Sequence, residues 1–287
     1  LRLSEVLSRL NELEAARKVL ASTPAPEKLT DLTALDIADR LLDLGDATAA
    51  RQRAVQLQEA ATTQPLGDYL LGRVYLNEGN WPAALSLLRG CVTALGRLPT
   101  YQHKAYLALG QCYSLANNPD QQLLAYSAAR QLSPASVSAK LGEADALAKL
   151  GRIAEAIDIY RALTPTMPGA RAPLCRLRLA EILARAPEQR DWTILEESFG
   201  NAPYSAEIEL IRSEALYHQG QTDQAIRVLR EAAVRYPSDP RLISAQALLL
   251  GEINPAEALP LLTEAETQLG DRLPLRLARA QLLARQS

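Results

Sequence analysis

The chain has little of what most chemistry needs. Its 287 residues include three cysteines, two histidines, one methionine and one phenylalanine, and aromatics make up 5%. Three cysteines, Cys91, Cys112 and Cys175, with no CxxC spacing argue against a disulfide framework and against a structural zinc site. Each sits in a helix-like pattern and reads as a small buried hydrophobe. His103 and His218 stand far apart, so the sequence holds no local metal pair. No dinucleotide fingerprint, phosphate loop or GxSxG elbow occurs. We therefore assign no catalytic residue, no cofactor site and no metal site, and expect no enzymatic activity of this chain. An excess of one charge is also missing: 31 Lys and Arg face 33 Asp and Glu, for a formal net charge of −2. A nucleic-acid binder usually carries a basic excess, so no nucleic-acid partner is expected. No apolar run approaches the ~20 residues that cross a bilayer, and the N-terminus lacks a basic, apolar, small-residue signal pattern.

Alanine and leucine supply much of the 48% apolar content, and both rank high in helix propensity. Their placement repeats. One copy of a pattern begins at Ala206 (AEIELIRSEALYHQGQTDQAIRVLREAAVRYP), another at His103, and a third at Val137. The period is about 34 residues, the mark of a fold built by stacking one supersecondary unit. Within a copy, a first helix ends near a turn residue: Gly45, Gly79, Asn117, Gly151 or Gly220. Glycine, and after it asparagine, tolerates the left-handed conformation such a turn requires. A large apolar residue precedes it (Leu41, Tyr75, Tyr113, Leu147, Leu183, Leu216, Leu249), with a small one three positions earlier (Ala38, Gly72, Gly110, Ala144, Ala180, Ser213). The second helix carries a small residue for close approach at Ala16, Ala50, Ala84, Ala156, Ala225 and Ala258, with Gln122 as the exception. Prolines at 134, 168 and 237 close units, since proline cannot continue a helix.

These residues resemble the tetratricopeptide repeat, a helix–turn–helix unit. The resemblance covers nearly the whole chain and implies an all-α fold, an α-solenoid winding as a right-handed superhelix of stacked antiparallel helix pairs. Repeats are expected at 31–64, 65–102, 103–136, 137–172, 173–205, 206–238 and 239–272. A partial repeat is expected at 1–30, as a late first helix and a second helix, and a capping helix at 273–287 in which Leu275, Leu282 and Leu283 cover the end of the stack. The N-terminus reads as cut within a repeat, which suggests a segment of a longer protein. The copy at 65–102 is long, with GRLPTYQ extending its loop. The copy at 173–205 departs most: Pro187 replaces the turn glycine and Trp192 falls near the small position, so its second helix should be short or shifted.

The family's first helices line a concave groove where partners bind. The resemblance thus implies a non-enzymatic scaffold or adaptor that holds a peptide or amphipathic helix of another protein. The alternative is a regulatory or substrate-presenting segment of a larger enzyme, transcription regulator or cell-envelope export machine. Candidate groove residues are Tyr69, Arg73, Asn77, Lys104, Leu107, Gln111, Leu141, Asp145, Glu181 and Glu214. One position beyond the small residue stand Asp39, Arg73, Gln111, Asp145, Glu181 and Glu214, four of them acidic, which suggests a ladder attracting a basic partner. Four residues earlier, Tyr69, Leu107, Leu141 and Leu210 would give the apolar contact. Against the ladder, Asp145–Lys149, Glu181–Arg185 and Glu214–His218 are i,i+4 pairs that can simply support their helices. A subgroup of the family holds chaperone C-terminal carboxylates with Lys, Arg and Asn. Only Arg73, Asn77 and Lys104 fit that pattern here, so this function is disfavoured. Oligomeric state and compartment stay open, with three free thiols tilting toward the cytoplasm rather than a bacterial periplasm.

Overall fold

A computed structural model describes Ala15, Leu20, residues 30–200 and residues 205–286. Among these residues there are fifteen α-helices and no strand. They run in order as α1 (Asp31–Asp43), α2 (Ala47–Gln58), α3 (Gln64–Asn77), α4 (Trp81–Cys91), α5 (Pro99–Leu115), α6 (Pro119–Leu132), α7 (Val137–Lys149) and α8 (Ile153–Leu163). They continue as α9 (Arg171–Leu183), α10 (Thr193–Phe199), α11 (Ala206–His218), α12 (Thr222–Arg235), α13 (Pro240–Ile253), α14 (Pro255–Leu269) and α15 (Leu273–Gln286). The chain forms two compact units, one through Ala156 and the other from Ile157, so the division falls inside α8. In each unit a helix packs on the next and on the next but one, the arrangement of a solenoid of antiparallel helix pairs.

The turns explain the pairing. Where Gly45 ends α1, its φ is 84°; its N–H bonds the Leu42 carbonyl at 2.9 Å and the Asp46 N–H bonds that of Leu41 at 2.8 Å. These two bonds fill carbonyls that the helix end leaves open. The same closure recurs with Asn80 N–H on Tyr75, Asn118 on Tyr113, Arg152 on Leu147 and Gln221 on Leu216. The accepting residues are the large apolar ones picked out by the repeat. Asn117, at φ 51°, is the one non-glycine among the described residues with positive φ. The next helix then starts on a side-chain cap: Asp46 accepts from Ala49 N–H at 3.0 Å and Asn118 from Gln121 N–H at 3.2 Å. Tight turn and cap together fold α2 back onto α1 and α6 back onto α5.

Small residues form the seams. Ala38, Ala50, Ala84, Ala144, Ala156, Ala225 and Ala258 are fully buried. In the first unit the core runs from Leu35 through Tyr69, Leu70 and Leu88 to Cys112 and Ala125. In the second, separate clusters centre on Leu179, Ile182 and Phe199, on Leu229 and Leu242, and on Leu262 and Leu275.

Three expectations change. The 173–205 frame slips by a residue: Ala180 is exposed, whereas Leu179 and Ile182 are buried. With proline at the turn position, the chain makes a short 3-10 segment at Pro187–Gln189 instead of a left-handed turn, and α10 is only seven residues long. In the long copy, PTYQ is the first turn of α5 rather than loop, since Pro99 starts a helix well; the extra length is a 3-10 turn at Ala94–Arg97. On α15, Leu275 and Leu282 are buried but Leu283 is 49% exposed, because it sits one position round from the packed stripe. The second helix expected in the partial repeat at 1–30, with Ala16, lies outside the described residues.

Few residues hold 187–199, so local opening should be easiest there. Hydrogen exchange should show weaker protection across 187–199 than across 101–132; equal protection would show that the irregular copy is as well packed as a regular one.

Candidate partner-binding site

The first unit contains an open cavity of about 760 Å³. It is lined by Leu42 and Asp43 of α1, Arg73, Leu76 and Asn77 of α3, a row of α5 from Lys104 to Leu115, and Tyr126 of α6. Residues one turn apart on first helices supply most of it. Asp43 and Asn77 occupy the same place in successive copies, five residues beyond the small position, and Leu115 holds that place in the next.

Asp39 lies behind this wall and is fully buried. Its carboxylate accepts hydrogen bonds from the Tyr69 hydroxyl at 2.8 Å, from Arg73 Nη1 and from Lys104 Nζ. Arg73 gives its other terminal nitrogen to Asp43 Oδ1 at 2.6 Å, and Lys104 stands 3.9 Å from Asp43 Oδ2. Two cations thus meet two carboxylates across α1, α3 and α5. Burial pulls the Asp39 carboxyl upward, but Arg73 and Lys104 outweigh it and hold the group below the ordinary carboxylate value. For Tyr69, burial and then Asp39 raise the phenol well above its usual value.

Other polar groups at the cavity are uncommitted. Asn77 and Gln111 are exposed, and neither side chain has a hydrogen-bond partner among the described residues. Tyr126 is 7% exposed, and its hydroxyl likewise has no partner among them. Its ring lies where a Cβ on Gly110 or Gly142 would come within 2.6 or 2.3 Å, so both glycines make room for it. Burial, then Asp145, pushes this phenol up to about 12, so it is a neutral donor near pH 7. Apolar surface adjoins these groups: Leu107 is half-buried and Leu115 is 58% exposed.

Of the ten candidates, Arg73, Asn77, Lys104, Leu107 and Gln111 come together at the cavity. Tyr69 does not: it is fully buried, meeting Tyr101 edge-on at 5.7 Å between ring centres. Leu141 and Asp145 lie on α7 outside the lining. Glu181 and Glu214 belong to the other unit. Each remaining acid of the row has a cation or another polar partner beside it. Asp145 pairs with Lys149 at 2.8 Å and accepts from the buried Gln122 amide at 2.9 Å. Glu181 meets Arg178 at 2.7 Å and Arg185 at 3.8 Å. Glu214 is taken by Arg176 of α9 at 2.6 Å, while His218 meets the Tyr217 ring edge-on. Sequence reasoning missed Asp43, Leu115 and Tyr126. The first two were detectable as the positions aligned with Asn77; Tyr126 lies on a second helix, off the row counted along the first helices.

Nucleophilic chemistry has little support. Burial pushes the thiols of Cys112 and Cys175 up to about 11 and that of Cys91 to about 12, leaving all three protonated near neutrality. Among the described residues no group of three or more His, Cys, Asp and Glu gathers as a metal site, and no helix is long and apolar enough to cross a membrane.

Comparison with known proteins agrees with the helix pairs. Profiles of the tetratricopeptide repeat match residues 35–99 and 116–173, and another of the same repeat matches 206–250. The fold is similar to that of a tetratricopeptide repeat protein from Parabacteroides merdae, at 16% identity and a TM-score of 0.60, covering 82% of this chain and 87% of that one. It is also similar to a thermophilic repeat protein of Thermus thermophilus at 23% identity and a TM-score of 0.50, over 63% of this chain and 99% of that one. A chain of the APC/C hetero-tetramer Cut9–Hcn1 aligns over 95% of this chain and 59% of its own, at 16% identity and a TM-score of 0.55. No curated protein matches. With the repeat matched over more than half its length and the same helix-pair fold in its structural neighbours, the chain belongs to the tetratricopeptide repeat family, whose members are typically non-enzymatic scaffolds for protein–protein interaction.

Proposed function

We propose that the cavity of the first unit is the seat for a partner protein, holding an extended peptide or the face of an amphipathic helix. The observation that carries this reading is the set of uncommitted hydrogen-bonding groups there. Asn77, Gln111 and Tyr126 line the cavity and have no protein partner among the described residues, so each is free to exchange water for a ligand group. A peptide main chain offers matching donors and acceptors, and Leu107 and Leu115 give an apolar side chain a place to rest. The counter-charged acids favour a ligand of mixed, weakly charged character over the basic partner that the acidic row suggested. Adaptor function needs no more chemistry than this: recognition of one segment, presented on a rigid stack of helices.

The reading is tested by partner capture with Leu115→Glu and with the double variant Asn77→Ala/Gln111→Ala. Covering a leucine is worth about 1.5–3 kcal/mol, which corresponds to roughly ten- to hundredfold in affinity. Leu115→Glu should therefore weaken capture at least tenfold with the thermal midpoint little changed. Unaltered affinity in both variants would remove this cavity as the seat.

A further inference from the structure

We propose that Asp39 and Asp43 are built-in counter-ions that occupy Arg73 and Lys104 and so close this cavity to anionic ligands: acidic peptides, chain-terminal carboxylates and phosphoryl groups. The inference deepens the partner-binding reading by stating what the site rejects.

Arg73 and Lys104 look like an anion trap. Both line the cavity, from adjacent first helices, at 21% and 34% side-chain exposure. Beside them stand the neutral donors Asn77 and Gln111. A carboxylate or phosphate entering here would ordinarily take two charge-assisted bonds, with arginine giving its bidentate fork. Both terminal nitrogens of that fork already face a carboxylate. One terminal nitrogen of Arg73 serves Asp39 and the other serves Asp43, and Lys104 serves Asp39 as well. A ligand anion meets cations whose charge Asp39, wholly buried, and Asp43 already balance, and it must approach Asp43, which is 48% exposed. Like charges at close range repel, and rejection by such an element is a common source of specificity. The lining groups with no charged neighbour of opposite sign are themselves uncharged: two amides, a phenol held protonated by burial, and leucine surface. The site then favours main-chain amides and neutral polar or apolar side chains.

The test is a gain of binding, read on the full chain without knowing the partner. The probe is a fluorescein-labelled tri-aspartate peptide followed by anisotropy, with inorganic pyrophosphate as competitor. The wild type and Glu59→Gln, an equal charge change on exposed surface away from the cavity, should show no saturation at millimolar protein. Asp43→Asn should bind the probe at least tenfold more tightly than Glu59→Gln, and Asp39→Asn/Asp43→Asn more tightly still. Adding Arg73→Gln should abolish the gain, and raising the salt should weaken it. Asp43 is exposed enough that its variant keeps the test available if the buried change unfolds the chain. Binding by the wild type as tight as by Asp43→Asn, or no gain over Glu59→Gln in either variant, overturns the proposal. If this cavity is not the partner's seat, Leu115→Glu leaves capture unchanged, while the anion titration still reports the charge pairing.

Discussion

Replacing Asp39 with alanine should cost the protein about 3 kcal/mol or more, among the largest effects of any single substitution in the first unit. Deleting one member of a buried ion pair leaves its partners charged and uncompensated, and typical losses are about 3–5 kcal/mol. Here Arg73 and Lys104 both lose an acceptor, and the buried Tyr69 hydroxyl loses its only named one. Arg73 keeps Asp43 and both cations have some water contact, which places the expectation at the lower end of that range. Denaturant unfolding measures the loss directly; a change under 1 kcal/mol would mean the cluster is marginal to stability. Its acid dependence has a definite sign. The folded Asp39 carboxyl lies below its ordinary value of 3.8, so its contribution is complete above that pH and is lost as pH falls through the folded value. The stability gap between wild type and Asp39→Asn should therefore be constant near neutrality and narrow below about pH 4.

Glycine-to-alanine changes on two helices should move stability in opposite directions. At Gly67 of α3 a Cβ would lie 2.6 Å from the Ala54 carbonyl oxygen and 2.9 Å from the Gln58 amide nitrogen, both backbone atoms of α2. Neither can swing aside as a side chain would, so α2 and α3 must part. Overpacking of this kind costs about 1–3 kcal/mol, and we expect the upper end. At Gly90 of α4 nothing lies within 4 Å of the added atom. Alanine there should stabilise by about 0.5–1 kcal/mol, because it restricts the unfolded chain and favours the helix. Paired unfolding curves decide this. A neutral Gly67→Ala would show that the α2–α3 seam is not as tight as described.

The architecture was readable because it rests on local rules repeated along the chain. A left-handed turn needs glycine or asparagine, as Gly45 and Asn117 show, and a close seam needs alanine, as Ala84 and Ala225 show. These demands recur with the repeat and survive the variation between copies. The slip at Ala180 arose where Pro187 removed the turn that sets the register. Half of the candidate site was legible on the same terms, since Arg73, Asn77 and Gln111 follow from counting along a first helix. The fate of Asp39 was not. Lys104 stands 65 residues away from it, and only the stacking of α1, α3 and α5 decides that an apparent surface acid is a buried one. Tyr126 was hidden for a related reason: its ring fits beside the cavity because Gly110 and Gly142 both lack a side chain.

The central claim, that the first-unit cavity receives the partner, is tested most directly by photo-crosslinking. A benzophenone amino acid is placed at Gln111 in the cavity and, separately, at Gln56, an exposed position of α2 outside it. The account predicts that one protein crosslinks through position 111 and not through 56, and that Leu115→Glu removes that product. Equal crosslinking from both positions, or a product indifferent to Leu115→Glu, would contradict it.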